Sequence, residues 1–202
     1  MNLDLIAKKV IKFKESEKYE EVKMRLREFN FEKKHHHEWF SELCFCLLTA
    51  NASAESGIRV QNAIGRGFLD LEPEKLSRKL RELKYRFPNV RAKYIHEARR
   101  CSNIKDIIEK MPSGEAREFL VKNIKGLGMK EASHFLRNTG RTDVAIIDRH
   151  ILRSMGQEVK GINKKRYEEL ELKLAQLARI TKTSLAELDL ILWAMQTGKV
   201  LK

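Results

Sequence analysis

The chain has 202 residues, 42 % of them hydrophobic, with ten glycines and three prolines; this excludes a disordered or collagen-like polymer and leaves one sizeable domain or two small lobes. Lys and Arg number 41 against 28 Asp and Glu, a net charge of +13, which favours a polyanionic partner, nucleic acid before membrane. No apolar run approaches a membrane span, Met1–Val10 lacks the layout of a signal peptide, and no lipid-anchoring motif accompanies the charge. A solvated basic face would give the same charge balance.

The hydrophobic period is helical along nearly the whole chain. Trp39, Leu43, Cys46 and Leu47 repeat at helical spacing, as do Tyr167, Leu170, Leu174 and Leu177. Val144–Ile147 is the only β-like run. Ser184 and Glu187 have the spacing of a capping box that opens a last helix through Leu188, Leu192 and Met195. Breaks fall at Asn51–Ser53, Gly65–Gly67, Pro88-Asn89, Pro112–Gly114, Gly126–Gly128, Thr139-Gly140 and Gly156–Asn163. This pattern predicts an all-α protein of about a dozen short helices.

Cys44 and Cys46 lie in the apolar run ELCFCLLTA, and Cys101 is remote from both. An odd count with two thiols in a core-like stretch fits structural cysteines in a reducing, cytoplasmic compartment. Zinc and iron–sulfur sites use four ligands at close spacing, which this set does not provide. His35, His36 and His37 are consecutive, so they point different ways on a helix and read as a solvated or capping segment. No metal and no other cofactor is expected.

One break carries chemistry. Residues 119–136, FLVKNIKGLGMKEASHFL, end one apolar helix, turn through Gly126 and Gly128, and open a second helix with Ala132 facing inward. Two glycines one residue apart allow positive φ and a close approach of backbone to ligand. Amides at the start of the following helix can then grip a DNA phosphate without reading a base. Ordinary helix–helix connections also contain glycine, but the apolar flanks and the basic charge favour DNA.

IKGLGMKEASHFLRNTG followed by VAIIDRHIL resembles the helix-hairpin-helix and downstream aspartate of the DNA glycosylase superfamily named after those features. With ELCFCLLTANASAESG before it and LDLILWAMQTGKVLK at the end, the chain is most similar to the archaeal-type second class of 8-oxoguanine DNA glycosylase/AP lyases. The four-cysteine cluster typical of endonuclease III relatives is missing. The resemblance implies a repair enzyme at the nucleoid, working as a monomer on double-stranded DNA that contains 8-oxoguanine or abasic sites. It also implies two helical lobes flanking a basic DNA-binding cleft. Residues 50–136 would form the central lobe ending in the hairpin, and 1–49 with 137–202 the terminal lobe.

Roles for single residues follow from the match. Lys130 occupies the nucleophile position of the superfamily's bifunctional members, where an unprotonated amine attacks the sugar C1′, expels the base and leaves a Schiff base. Taken alone it would be a solvated lysine. Asp148, eighteen residues on, reads both as a helix N-cap and as the family's carboxylate, which stabilises the cationic sugar and helps deprotonate the nucleophile. His134, one turn after Lys130, borders the extruded base or is a lone surface histidine, and His150 is a phosphate contact. Asn51 matches the position that inserts an amide into the duplex gap. Phe87, between Arg86 and Pro88, is a wedge or a core residue. Asp189 and Trp193 share one flank of the last helix, suited to a flipped purine; the alternative for Trp193 is core packing. The carboxylate of the terminal Lys202 is implied to tell 8-oxoguanine from guanine. Two other readings remain at this point. The scaffold could act on oxidised pyrimidines or alkylated purines, which a lesion panel separates. It could also be a non-catalytic DNA-binding module, in which Lys130 and Asp148 would have no reason to occur in register.

Overall fold

The computed structural model describes residues 3–159 and 161–202, and every regular element among them is helical. In chain order these are α1 (Leu3–Phe13), α2 (Lys18–Glu28), α3 (His36–Thr49), α4 (Ala54–Ile64), α5 (Gly67–Asp70), α6 (Pro73–Glu82) and α7 (Pro88–Ala98). A short 3-10 turn (Arg99–Cys101) leads to α8 (Ile104–Ile108), α9 (Ser113–Asn123), α10 (Met129–Asn138), α11 (Arg149–Ser154), α12 (Lys164–Thr181) and α13 (Leu185–Thr197). The sequence breaks supply their ends. Ser53 accepts from the Ser56 amide at 3.2 Å, Asn163 from the Arg166 amide at 2.9 Å, and Pro73 and Pro88 open their helices, where a missing N–H costs nothing.

The chain divides into two units, Phe31–Thr139 and Met1–Asn30 with Gly140–Lys202. The second boundary lies close to the expected 136/137. The first lies at 30/31 rather than 49/50, because α3 belongs with the hairpin. From Trp39 to Thr49 every residue of α3 except Ser41 is buried, against α4, α7, α8 and α10. Trp39 stands edge-on to Phe31 and Phe135, with ring centroids 5.8 and 6.1 Å away. Glu42, buried on the same helix, accepts from Asn138 Nδ2 at 2.6 Å and Gln61 Nε2 at 3.2 Å. A buried carboxylate is tolerated only when such bonds replace water, so this cluster fixes α10 on α3. Cys44, Cys46 and Cys101 are buried free thiols, and burial pushes the Cys44 thiol well above its usual range.

In the other unit α12 packs on α1 and α13, and α13 on α2 and α11. Lys14 Nζ donates to the Thr181 and Lys182 carbonyls at 3.2 and 3.3 Å, capping the end of α12. Half of the expected capping box forms on α13: the Glu187 amide donates to Ser184 Oγ at 3.1 Å. The Glu187 carboxylate instead accepts from the Tyr19 hydroxyl at 2.5 Å. Burial and that carboxylate push the Tyr19 pKa up to about 12.

The β-like run Val144–Ile147 is buried, lies in no regular element and pairs with no strand among the described residues. Side chains of α12 replace the ladder. Tyr167 Oη donates to the Ala145 carbonyl at 2.7 Å and accepts from the Ile147 amide at 3.2 Å, while Glu171 accepts from the Ala145 amide at 3.0 Å. Asp148 follows immediately, so α12 sets where that carboxylate begins its helix.

Candidate active site

The hairpin turn joins α9 to α10. Gly126 has φ +94°, and a Cβ there would lie 2.9 Å from Tyr94 Cε2 and 3.2 Å from Arg91 Nη1. Both the conformation and the space demand glycine. Gly128 differs from the expectation, since its φ of −100° suits any residue; a Cβ would instead crowd Glu131 Oε2 at 3.2 Å. Gly126→Ala is therefore expected to destabilise the unit by about 2 kcal/mol or more, read as a lowered Tm, and to weaken duplex binding in filter or anisotropy assays.

Lys130 sits on the first turn of α10, its side chain 30 % exposed and its Nζ 3.1 Å from Glu131 Oε1. The other oxygen, Glu131 Oε2, accepts from the Gly128 amide at 3.2 Å. One carboxylate thus holds both the hairpin turn and the amine. His134, a turn further along, is 8 % exposed and packs edge-to-face on Phe45 at 5.4 Å. It belongs to the packing of α10 on α3.

Asn51 stands exposed at the turn after α3 with φ +61°, a left-handed conformation that asparagine tolerates better than most residues. Two side chains hold the carbonyls just before it. Tyr85 Oη donates to Leu48 O at 2.7 Å, and Arg91 Nη2 to Ala50 O at 2.8 Å. Burial pushes the Tyr85 pKa up, keeping it the neutral donor that this bond needs. Phe87, two residues after Tyr85, caps α7 half-buried, with the Arg86 guanidinium 4.9 Å from its ring centroid. It is neither a core residue nor fully exposed.

Asp148, His150 and Trp193 are joined within the other unit. Asp148 is the N-cap of α11, and its Oδ1 accepts from the His150 and Ile151 amides at 2.8 and 2.9 Å. Both cap bonds fall on one oxygen, which leaves Oδ2 for chemistry. The His150 ring meets Trp193 edge-on at 6.2 Å, so α11 and α13 present the carboxylate and the indole from one packed pair. Trp193 is half-buried. Asp189, one turn earlier, is 7 % exposed and faces inward. Past Gly198, buried Val200 ties down the tail and leaves Lys202 partly covered. Sequence reasoning missed Glu131, Tyr85 and Arg91. In each a polar side chain is held by a partner that the sequence does not display.

The family model for 8-oxoguanine DNA glycosylase of the helix-hairpin-helix kind matches residues 22–183, and the chain belongs to that family. It is 50 % identical to the 8-oxoguanine DNA glycosylase/AP lyase of Methanocaldococcus jannaschii, over 98 % of this chain and all of that protein. It is 45 % identical to its namesake in Korarchaeum cryptofilum over the full length of both. The M. jannaschii enzyme solved in complex with a 15mer DNA containing 8-oxoguanine superposes with a TM-score of 0.95, over 98 % of this chain and 100 % of that one. The Thermotoga maritima 8-oxoguanine DNA glycosylase, at 44 % identity and full coverage of both chains, gives 0.93.

Proposed function

We propose that this protein excises 8-oxoguanine from duplex DNA through a Schiff base on Lys130 and then cleaves the backbone at the abasic site by β-elimination. The observation that carries the reading is Lys130 itself, a part-exposed amine on the first turn after a glycine hairpin, in a chain of this family. First-turn amides of α10 have no intrahelical acceptor, so they hold a DNA phosphate beside the amine. The lesion leaves the stack, Asn51 enters the gap, and Phe87 wedges the neighbouring step. Lys130 Nζ attacks C1′ as the glycosidic bond breaks, the base leaves and takes a proton from water, and the C1′–O4′ bond then opens, with O4′ protonated, to give the C1′=Nζ Schiff base. The amine gives up its proton to Asp148, whose unpaired Oδ2 also stabilises positive charge on the sugar. Loss of a C2′ proton then expels the 3′ phosphate, and water releases Lys130.

Trp193 borders the flipped purine, His150 supports it and lies near phosphate, and buried Asp189 shapes that flank. The protein works as a monomer at the nucleoid; no described helix is long and apolar enough to cross a membrane. The test of the reading is single-turnover excision across duplexes carrying 8-oxoguanine, an oxidised pyrimidine or an alkylated purine. Preference for 8-oxoguanine is expected; preference for another lesion, or DNA binding with no excision, overturns it.

In this reading Lys202 supplies the specificity. The Lys202 carboxylate accepts the N7–H that 8-oxoguanine offers, whereas guanine presents a lone pair there. An acceptor set against an acceptor rejects the normal base more sharply than shape can. A chain ending at Leu201 is expected to lose about a hundredfold in 8-oxoguanine excision while cleaving a preformed abasic site within about threefold of the intact chain. Equal retention of both activities removes Lys202 from the site, and equal loss points to a folding defect.

A further inference from the structure

The guanidinium of Arg91 touches two elements that the proposed reaction uses separately. On one side Nη2 donates to Ala50 O at 2.8 Å, the carbonyl just before exposed, left-handed Asn51. On the other, Nη1 lies 3.2 Å from the position a Cβ would take on Gly126, so it abuts the hairpin turn. Tyr94, one turn along α7 from Arg91, fills the remaining space. Its ring lies against Gly126, with the Arg91 guanidinium 5.6 Å and the Lys125 ammonium 5.6 Å from its centroid. Tyr85, bonded to Leu48 O, closes the cluster at the turn that carries Phe87.

Arg91 is only 7 % exposed, and its Nε has no hydrogen-bond partner. Burying a charge with one donor unmet is an expensive way to pack two loops, which aliphatic side chains would do at lower cost. What a guanidinium adds is reach and direction. Its rigid fork fixes the distance between what lies at its two ends, here the phosphate-gripping hairpin and the Asn51 turn.

We infer that Arg91 is a positioning residue for base extrusion: it sets the spacing between hairpin and Asn51 so that the amide enters the duplex gap while the hairpin holds the phosphate. The inference rests on the proposed function and on Asn51 as the gap filler. Its consequence is selective. Breaking a base pair and filling the gap need the spacing; chemistry on a nucleotide that has no pair to break needs it far less.

The test measures single-turnover excision of 8-oxoguanine on two duplexes, one with cytosine opposite and one with an abasic-site analogue opposite. The wild type is compared with Arg91→Met, Arg91→Lys, Asn51→Ala and the Asn51→Ala/Arg91→Met double variant. Arg91→Met is expected to slow the paired duplex about tenfold or more and the unpaired one about twofold. Arg91→Lys retains one donor and recovers part of the paired rate. With Asn51 already replaced, Arg91→Met adds little, because both changes remove the same event. Equal losses on the two duplexes, or losses that multiply in the double variant, overturn the inference and make Arg91 a structural tie alone. If Arg91→Met does not fold, Arg91→Lys decides: a loss confined to the paired duplex supports the inference, and a shared loss or none overturns it. Asn51→Ala matching wild type on the paired duplex overturns Asn51's role and this inference, leaving the excision chemistry standing. A wild type that does not excise 8-oxoguanine overturns the proposed function itself.

Discussion

Lys130→Gln is expected to abolish borohydride trapping and to lower strand cleavage by about 10³-fold or more, while affinity for lesion DNA stays within about threefold of wild type. Glutamine has similar length and can still hydrogen-bond to Glu131, so the hairpin and its phosphate grip persist. It has no lone pair basic enough to form an imine. A loss of cleavage with binding intact is therefore chemical rather than structural, worth about 4 kcal/mol of transition-state stabilisation for each factor of 10³. Gel assays of trapped complex and anisotropy titrations on the same duplex separate the two terms. Normal trapping by this variant would move the nucleophile elsewhere.

Asp148→Asn carries the next largest effect. The two cap bonds, from the His150 and Ile151 amides, both end on Oδ1, and asparagine offers an equivalent oxygen. Asn caps helices about as well as Asp, so stability should hold to within about 1 kcal/mol in thermal unfolding. What disappears is the charge and the proton acceptor at Oδ2. Excision is expected to slow by about 10²- to 10⁴-fold, the range supplied by a positioned base or an electrostatic stabiliser. Excision near wild-type rate in a folded variant would make Asp148 a cap and nothing more.

Much of the architecture was legible in the sequence because local chemistry set it. Glycine, proline and the Ser, Asn and Asp caps mark helix ends wherever the chain continues, and the breaks they predicted lie between the observed helices or on their first residues. The hairpin was legible for the same reason, together with Lys130 on its second helix. Periodicity could not allocate α3 to a unit: a helix apolar on every face must be buried, but its sequence does not say among which neighbours. The run Val144–Ile147 has the composition of a strand, and the Tyr167 hydroxyl and Glu171 carboxylate, twenty and more residues later, explain how its backbone is satisfied without one. For His134 the sequence could not show burial. One helical turn from Lys130 places it near the same face, but its ring swings toward Phe45.

Polar side chains that support the site were the least legible. Arg91 lies in a segment rich in basic residues, RFPNVRAKY, where composition points to solvent. Its acceptor is a backbone carbonyl forty-one residues earlier, and backbone carbonyls leave no trace in sequence. Glu131 was visible only as a neighbour of Lys130, although its two oxygens hold the hairpin amide and the amine together. A pair of glycines one residue apart allows positive φ at either, but only Gly126 takes it, and Gly128 does not. The structure gives it ordinary backbone and a steric reason instead.

A single amine, Lys130, is expected to become covalently joined to the sugar of an 8-oxoguanine nucleotide. The most direct measurement reduces the wild-type protein with borohydride on an 8-oxoguanine·cytosine duplex, digests the adduct and maps the modified peptide by mass spectrometry. One sugar-derived adduct is expected, on Lys130, and none on the matching guanine duplex. An adduct on another lysine, or excision of the base with no adduct at all, would contradict it.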